Sequence, residues 1–416
     1  MTSTSNNGSS KRLGFLAFLS TLFLGAFNDN VSKLLVMAFG TSALAADSSR
    51  ASAFLSLGGM VFILPYLLFS SLAGVLADRY SKKRLMVWMK IWEIVAMGLG
   101  FFVAYLHNAY LMLVVLFCMG AQSAFFSPAK YGFLPETSTP EELPRANGAT
   151  QMWTFLAIIF GGWAGGAISH LTGEGNLPMG MLFCVGIAVL GTLTSFAITR
   201  TPDGHRNGLL RVPDPVTPHI RTLLQCRKNP VLLASILGNS VFWGVGAMAQ
   251  LVLVLLAKNS LKTNDQVMGL LQAALGVGIG AGCFLAGLMG SRRRPFLLVP
   301  VGGVLMAAAL LTLGFLGDRL PWAFTMVTAA GFFSGFYMLP LSTAIQRLAP
   351  PEERGRYLGA SSAMDCVGMI LGSLALGALG ALQLSPLGIL RVMALLALLP
   401  LPFLCRVFFH KQQESR

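Results

Sequence analysis

The chain has 416 residues, of which 55% are hydrophobic and only 11% are charged, and its formal net charge is +14. Soluble domains carry about a quarter of their residues as charged side chains, so this composition excludes an ordinary soluble enzyme or binding domain. The basic residues are spread over short polar segments between apolar runs, an arrangement that argues against a nucleic-acid-binding surface.

Twelve apolar runs follow one another along the sequence, each of roughly the twenty residues that cross a hydrocarbon core. A helix satisfies its own backbone hydrogen bonds in lipid, so we predict an all-α membrane protein with twelve transmembrane helices. The predicted spans are 13–39, 51–76, 85–106, 110–127, 147–170, 179–198, 231–257, 267–290, 296–316, 322–346, 357–382 and 386–408.

The Lys and Arg residues set the orientation of these spans, because basic residues are retained in the cytoplasm. With both termini inside, 22 of the 30 Lys and Arg residues lie in cytoplasmic segments, and Arg406 lies at the cytoplasmic end of the last span. We therefore predict a multi-pass protein of the bacterial inner (cytoplasmic) membrane with both termini in the cytoplasm. The six cysteines show no metal-ligand spacing, so we expect neither a metal nor a cofactor.

The first span carries a polar cluster, Asn28-Asp29-Asn30, followed by Lys33. The spacing of Asp29 and Lys33 places opposite charges on one helical face. One interpretation is a pair that neutralises itself so that the helix can insert. The other is a polar cluster that faces a central cavity, where Asp29 meets a cationic amine or carries a proton.

The loop after the second span reads GVLADRYSKKR from Gly74 to Arg84. It resembles the cytoplasmic signature G-x-x-x-D-R-x-G-R-R of the major facilitator superfamily, with Ser81 in place of the second Gly. The resemblance implies a gating role for Gly74, Asp78, Arg79, Lys83 and Arg84, in which the carboxylate ties helix ends together. The alternative is a positive-inside loop with an incidental acidic residue.

The fourth span ends in a polar and aromatic segment that includes Gln122, Lys130 and Tyr131. Lys130 has two possible roles. Its ammonium group extends to the cytoplasmic headgroups, as lysines near span ends commonly do, or it binds a phosphate.

The polar stretch from Arg200 to Pro230 separates two similar halves. At an offset of 211 residues, the motif that begins at Pro140 matches the motif that begins at Pro351. Two six-span copies of the same topology predict pseudo-twofold symmetry, with a substrate cavity between the halves. We predict an N-terminal six-helix bundle at 1–199, a cytoplasmic linker at 200–230 and a C-terminal six-helix bundle at 231–416.

The second half contains four further candidates for substrate binding. Trp243 and Gln250 are seven residues apart in the seventh span and so share a face. Tyr337 lies in the tenth span, and Asp365 lies in the eleventh, where no basic residue of its own helix neutralises it. Trp and Tyr are more often packing or interfacial residues than ligands, whereas an unneutralised intramembrane acid indicates function.

These segments resemble the lysophospholipid transporter family of the major facilitator superfamily over nearly the whole chain. The most specific match is Pro128-Ala129-Lys130-Tyr131-Gly132. The resemblance implies transport of lysophospholipids, such as lysophosphatidylethanolamine, from the outer to the inner leaflet for reacylation, with Asp29 and Lys130 at the headgroup. Stand-alone members carry Arg where this chain has Gln250 and place their eleventh-span acid near Met369.

At the positions of Gln250 and Met369 the chain is more similar to the transporter portion of fused transporter and acyltransferase proteins. No His in the chain has an Asp five positions later, as the H-x-x-x-x-D acyltransferase motif requires. We therefore expect no enzyme activity, a monomer, and a separate cytoplasmic acyltransferase as a possible partner. Two alternatives remain open: a proton-coupled exporter of drugs, siderophores or other amphiphiles, and a scaffold that transports nothing.

Overall fold

The computed structural model describes residues 3–44, 47–172, 177–204, 214–290 and 295–414, and every regular element in these ranges is helical. Within them, twelve segments are long and apolar enough to cross a membrane. The predicted all-α architecture of twelve transmembrane helices is therefore confirmed. Residues 205–213 of the predicted linker and the basic residues 292–294 lie outside the described residues.

The helices of the first half are α1 (Ser3–Ala43), α2 (Ser48–Arg79), α3 (Lys82–Tyr105), α4 (Ala109–Thr137), α5 (Leu143–Thr172) and α6 (Leu177–Phe196). The short α7 (Thr217–Cys226) follows in the linker. The second half contains α8 (Pro230–Leu255), α9 (Asp265–Met289), α10 (Leu298–Leu316), α11 (Leu320–Leu348), α12 (Arg354–Ala381), α13 (Pro386–Leu398) and α14 (Leu401–Glu414). The last span comprises α13 and the first part of α14.

Helix α4 continues well beyond the predicted end of its span at residue 127. It runs to Thr137 and contains Pro128 and Pro135. A proline removes one intrahelical hydrogen bond, and in membrane helices neighbouring groups can satisfy the carbonyl that this frees. As a consequence, Lys130 and Tyr131 lie inside a helix and not at its end.

The chain forms two compact units. Unit 1 contains Met1–Thr137, Leu156–His219 and Pro351–Gly359. Its apolar core joins α1, α3, α4 and α6, with fully buried side chains that include Val31, Met97, Met112 and Met181. The flexible methionine side chains among them fill irregular gaps between crossing helices.

Unit 2 contains Ser138–Phe155, Ile220–Pro350 and Ala360–Arg416. Its main apolar core is formed by α8, α10, α11 and α13, and includes Val252, Leu310, Val327 and Met393. Close helix packing in unit 2 also depends on glycine. A Cβ on Gly335 of α11 would lie only 2.6 Å from the carbonyl carbon of Gly282 in α9, so the two backbones leave no space for a side chain.

The boundary between the units falls inside two transmembrane helices. Helix α5 passes from unit 2 to unit 1 after Phe155, and α12 passes from unit 1 to unit 2 after Gly359. The repeat-based domains at 1–199 and 231–416 are a different kind of division, so those limits stay a prediction.

Candidate transport site

A fully buried ion pair lies at the centre of the polar residues of unit 1. Lys90 and Glu93, one turn apart on α3, are each 0% exposed and form a direct salt bridge. The amide nitrogen of Asn28 on α1 donates to Glu93 Oε1 at 2.8 Å. The amide nitrogen of Gln122 on α4 donates to Glu93 Oε2 at 3.4 Å. Glu93 thus holds three helices together through one carboxylate.

The predicted substrate residue Asp29 lies next to this buried pair, with the hydroxyl of Ser123 placed to donate to either Asp29 or Gln122. The hydroxyl of Ser123 lies 2.7 Å from Asp29 Oδ2 and 3.0 Å from Gln122 Oε1. Asp29 is partly exposed, and its other oxygen, Oδ1, is buried with no hydrogen-bond partner among the described residues. The structure therefore brings the predicted residues Asp29 and Gln122 together and leaves one carboxylate oxygen of Asp29 without a donor.

The second charge of α1 forms no salt bridge with the first. Lys33 forms no ion pair within 4.0 Å with any carboxylate that the structure describes. Its ammonium group instead lies 5.4 Å from the centre of the Phe62 ring on α2, a cation–π contact. The neighbouring amide of Asn30 donates to the carbonyl of Ala26 in its own helix at 2.7 Å.

Lys130 lies on the same face of α4 as Ser123, because the two residues are seven positions apart. That spacing is about 10 Å along the helix axis. The ammonium group of Lys130 is 4.8 Å from the centre of the Tyr131 ring, and both side chains are partly exposed. One face of α4 therefore carries the Asp29 contact and, further along, a cation.

Unit 2 contains a smaller polar group centred on Asp365. Both carboxylate oxygens of Asp365 accept from the amide nitrogen of Asn239 on α8, at 2.9 and 3.0 Å. The hydroxyl of Ser342 on α11 donates to the Asn239 amide oxygen at 3.2 Å. Asp365 is thus held by neutral donors and keeps part of its surface accessible.

The other three predicted residues of unit 2 lie apart from this group. Tyr337 is 1% exposed and donates to the carbonyl of Gly238 at 3.1 Å, a contact that packs α11 on α8. Trp243 packs against the apolar core and contacts the Phe242 ring edge-on. Gln250 is exposed, eleven positions after Asn239, which is about 16 Å along α8. The structure does not bring Gln250 to Asp365.

The signature loop is fastened to the first turn of α12, and all of these residues belong to unit 1. Asp78 Oδ1 accepts from the backbone nitrogen of Gly355 at 2.5 Å, and Oδ2 accepts from that of Arg356 at 3.0 Å. A carboxylate at a helix N-terminus is favoured by the free N–H groups and the helix dipole. A Cβ on Gly74 would lie 2.6 Å from the Gly355 carbonyl oxygen, so this close approach requires glycine.

The basic residues of the loop have separate partners. Lys83 donates from its ammonium group to the carbonyl of Phe196 at 2.7 Å. Arg84 lies 3.5 Å from the carboxylate of Asp203. The Nε of Arg79 is buried without a hydrogen-bond partner among the described residues. Lys83 and Arg84 therefore anchor the start of α3 to the end of α6 and its following segment.

The structure also shows two polar contacts that the sequence does not predict. Asn147 on α5 and Gln346 on α11 form a buried amide pair. His219 on α7 lies 2.9 Å from the hydroxyl of Ser70 on α2, and burial lowers the pKa of His219 while the nearby Asp214 carboxylate opposes that shift. In the sequence, the polar residue Gln346 within a predicted apolar span was the signal for the amide pair.

The described residues contain no cluster of His, Cys, Asp and Glu that could hold a metal ion.

Comparison with known proteins gives a consistent result. Residues 13–373 match the family model of the Major Facilitator Superfamily. The lysophospholipid transporter LplT of Cronobacter sakazakii is 30% identical over 370 residues, which cover 87% of this chain and 86% of that protein. The lysophospholipid transporter LplT of Klebsiella pneumoniae is 27% identical over 84% of this chain and 83% of that protein.

Solved structures are similar in fold. The Major Facilitator Superfamily transporter FucP in the outward conformation has a TM-score of 0.76 at 16% identity, and the match covers 96% of this chain and 99% of that chain. The proton:xylose symporter XylE has a TM-score of 0.69 at 13% identity, covering 94% of this chain and 95% of that chain. At these identities the structures support the fold alone.

Proposed function

The chain belongs to the lysophospholipid transporter family of the major facilitator superfamily, and from that membership we propose that it moves lysophospholipids from the outer to the inner leaflet of the bacterial inner membrane. A membrane transporter with this fold works by alternating access, in which its two bundles rock around a substrate site. Both termini then lie in the cytoplasm, as the distribution of basic residues predicts.

The arrangement of Asp29 and Lys33 is the observation that carries the proposal. Opposite charges one turn apart on a membrane helix usually form a pair, because an isolated charge in lipid is costly. Here Lys33 lies against an aromatic ring, and Asp29 retains a carboxylate oxygen without a donor. A zwitterionic headgroup has the complementary charges, with an ammonium for Asp29 and a phosphate for a lysine.

Ethanolamine suits this carboxylate because a primary ammonium group offers three N–H donors, as a lysine side chain does. The phosphate then lies toward Lys33 or, along the same face of α4 as Ser123, toward Lys130. The acyl chain remains in apolar surroundings throughout, since exposing it to water would cost about 0.8 kcal/mol per methylene. Transport therefore needs a polar path for the headgroup only.

The same proposal assigns the chain no catalytic step of its own. Reacylation of the delivered lysolipid is assigned to a separate cytoplasmic acyltransferase, because the sequence lacks the acyltransferase His-Asp motif. The transporter acts as a monomer, and its partners are its substrate and the membrane lipids.

Leaflet-resolved transport of fluorescent lysophosphatidylethanolamine in liposomes tests the proposal through two variants. We expect Asp29→Asn and Lys130→Ala each to reduce the transport rate by about tenfold or more, the effect of losing one charge-assisted contact. The matched controls are Asp318→Asn and Lys262→Ala, which remove the same charges at exposed positions. Wild-type rates in both site variants would refute the headgroup site.

The proton-coupled exporter is an alternative outcome of the same experiment. It is favoured by the partly exposed Asp365, which is held by the neutral amide of Asn239 and has no basic partner within 4.0 Å among the described residues. Transport of other amphiphiles that requires a pH gradient and is lost in Asp365→Asn would support the exporter. Lysolipid transport without a gradient would support the flippase.

A further inference from the structure

The first turns of α5 are fastened to α11 by a buried pair of amide side chains. The Asn147 amide nitrogen donates to Gln346 Oε1 at 2.8 Å, and the Gln346 amide nitrogen donates to Asn147 Oδ1 at 2.9 Å. Asn147 is 0% exposed and Gln346 is 1% exposed. The two amides therefore form a reciprocal pair, in which each satisfies the other away from solvent.

Neighbouring contacts strengthen the attachment of this segment to unit 2. The Asn147 amide also lies 3.4 Å from the hydroxyl of Thr343. Arg347, one residue after Gln346, donates to the carbonyl of Pro140. Next to Asn147, Gly148 lies so close to α9 that a Cβ would be 2.7 Å from the carbonyl oxygen of Cys283. The start of α5 is thus held by side chains on α11 and by backbone contact with α9.

Helix α5 belongs to both units, and this is what gives the amide pair a role in transport. Its residues up to Phe155 group with unit 2, and those from Leu156 group with unit 1, although α5 is one continuous helix from Leu143 to Thr172. A stiff helix cannot follow two bodies that rotate against each other. When the two bundles rock, one end of α5 therefore has to release its contacts, and its first turns are held by the contacts around Asn147 and Gly148.

The repeat places another contact, that of Asp78, at the start of the helix that corresponds to α5. The segment that begins at Pro351 is the counterpart of the segment that begins at Pro140. Its first helical turn is held in unit 1 by the Asp78 carboxylate. Helix α12 likewise passes from one unit to the other, after Gly359.

We propose that the Asn147–Gln346 amide pair is an uncharged gating contact, which holds the first turns of α5 in unit 2 and must open in each transport cycle. Because neither amide titrates, this contact is independent of pH. The proposal rests on the proposed function only for its transport readout.

Three variants of the full chain in lipid nanodiscs test this gate. Asn147→Ala removes both reciprocal bonds, and Gln346→Met removes them while keeping the length of the side chain. The double variant Asn147→Gln/Gln346→Asn retains two facing amides and the same number of methylenes. The matched control is Gln272→Met, which makes the same chemical change at an exposed position of α9.

Hydrogen–deuterium exchange is the first readout. We expect exchange in residues 143–150 to rise by about tenfold in both single variants, since a buried amide left without its partner favours the open form. Exchange in α10 should stay at the wild-type level, and the double variant should return residues 143–150 to within about threefold of wild type. Unchanged exchange at 143–150, or a uniform rise that includes α10, would overturn the proposal and indicate a purely structural pair.

Lysolipid transport is the second readout. If the amide pair stabilises the conformation that accepts lysolipid, its loss raises the half-saturating concentration by up to about tenfold, because fewer molecules occupy that conformation. The double variant should restore it. An unchanged half-saturating concentration in variants that show the local exchange increase would also overturn the gating role. If wild-type protein moves no lysolipid, the proposed function fails, and the exchange measurement still tests the contact.

Discussion

Removing Lys90 should destabilise the protein far more than removing Lys90 and the charge of Glu93 together. In Lys90→Met the carboxylate of Glu93 remains fully buried with only the amides of Asn28 and Gln122 as donors. Breaking a buried ion pair on one side costs about 3–5 kcal/mol, because an uncompensated charge is left in a medium of low dielectric constant. In Lys90→Met/Glu93→Gln no charge remains, and the loss should be about 1–2 kcal/mol.

The assay is denaturant titration in mixed micelles, which gives the free energy of unfolding. It is applied to the wild type, both variants and Lys262→Met, a control at an exposed position. The expected difference between the single and the double variant is about 2 kcal/mol or more in favour of the double variant. Equal stability of the two variants, or a loss below about 1 kcal/mol in Lys90→Met, would refute the conclusion that this pair is dry and structural.

Three further predictions concern the contact of Asp78 with α12, the linker residue His219, and the contact of Ser123 with Asp29. Gly355→Ala should abolish transport with normal insertion, because its Cβ would lie 2.7 Å from an Asp78 oxygen, and cysteine accessibility of the signature loop should rise in parallel. Burial lowers the pKa of His219, so the imidazole binds a proton less readily in the folded chain than in the unfolded chain. The contribution of neutral His219 to the free energy of unfolding is therefore complete above about pH 6.5 and is lost as the pH falls below that value. After correction for the intrinsic pH dependence of amide exchange, the protection of residues 217–226 should therefore fall at pH 5.5 relative to pH 7.5, and a His219→Gln variant should show no such change. Ser123→Ala removes the 2.7 Å contact to Asp29 and should reduce lysolipid transport by about threefold to tenfold, whereas an unchanged rate would show that Asp29 needs no such support.

The sequence predicted the elements that depend on local composition. Apolar length alone yields the twelve membrane helices, because lipid imposes one solution on each long apolar run. The spacing of Asp29 and Lys33 predicts opposite charges on one face of α1, and the role of these charges stays a prediction. The resemblance of the signature loop indicated that Asp78 ties helix ends together, and its carboxylate is found on the first turn of α12.

The rest depends on which helices meet, and local patterns do not carry that information. The spacing allows Glu93 to pair with Lys90, but its contacts with Asn28 and Gln122 reach residues 65 and 29 positions away on other helices. The length of α4 was underestimated because Pro128 suggests an end, and tertiary contacts allow the helix to continue. The amide pair of Asn147 and Gln346 was not predicted, since single amides in apolar spans give no indication of their partner.

Leaflet-resolved transport by the wild-type protein tests the central claim most directly. Lysophosphatidylethanolamine is added to the outside of liposomes with identical pH and salt on both sides, and its arrival in the inner leaflet is followed over time. We expect transfer that requires the protein and saturates with lysolipid concentration. Transfer no faster than in protein-free liposomes would contradict it.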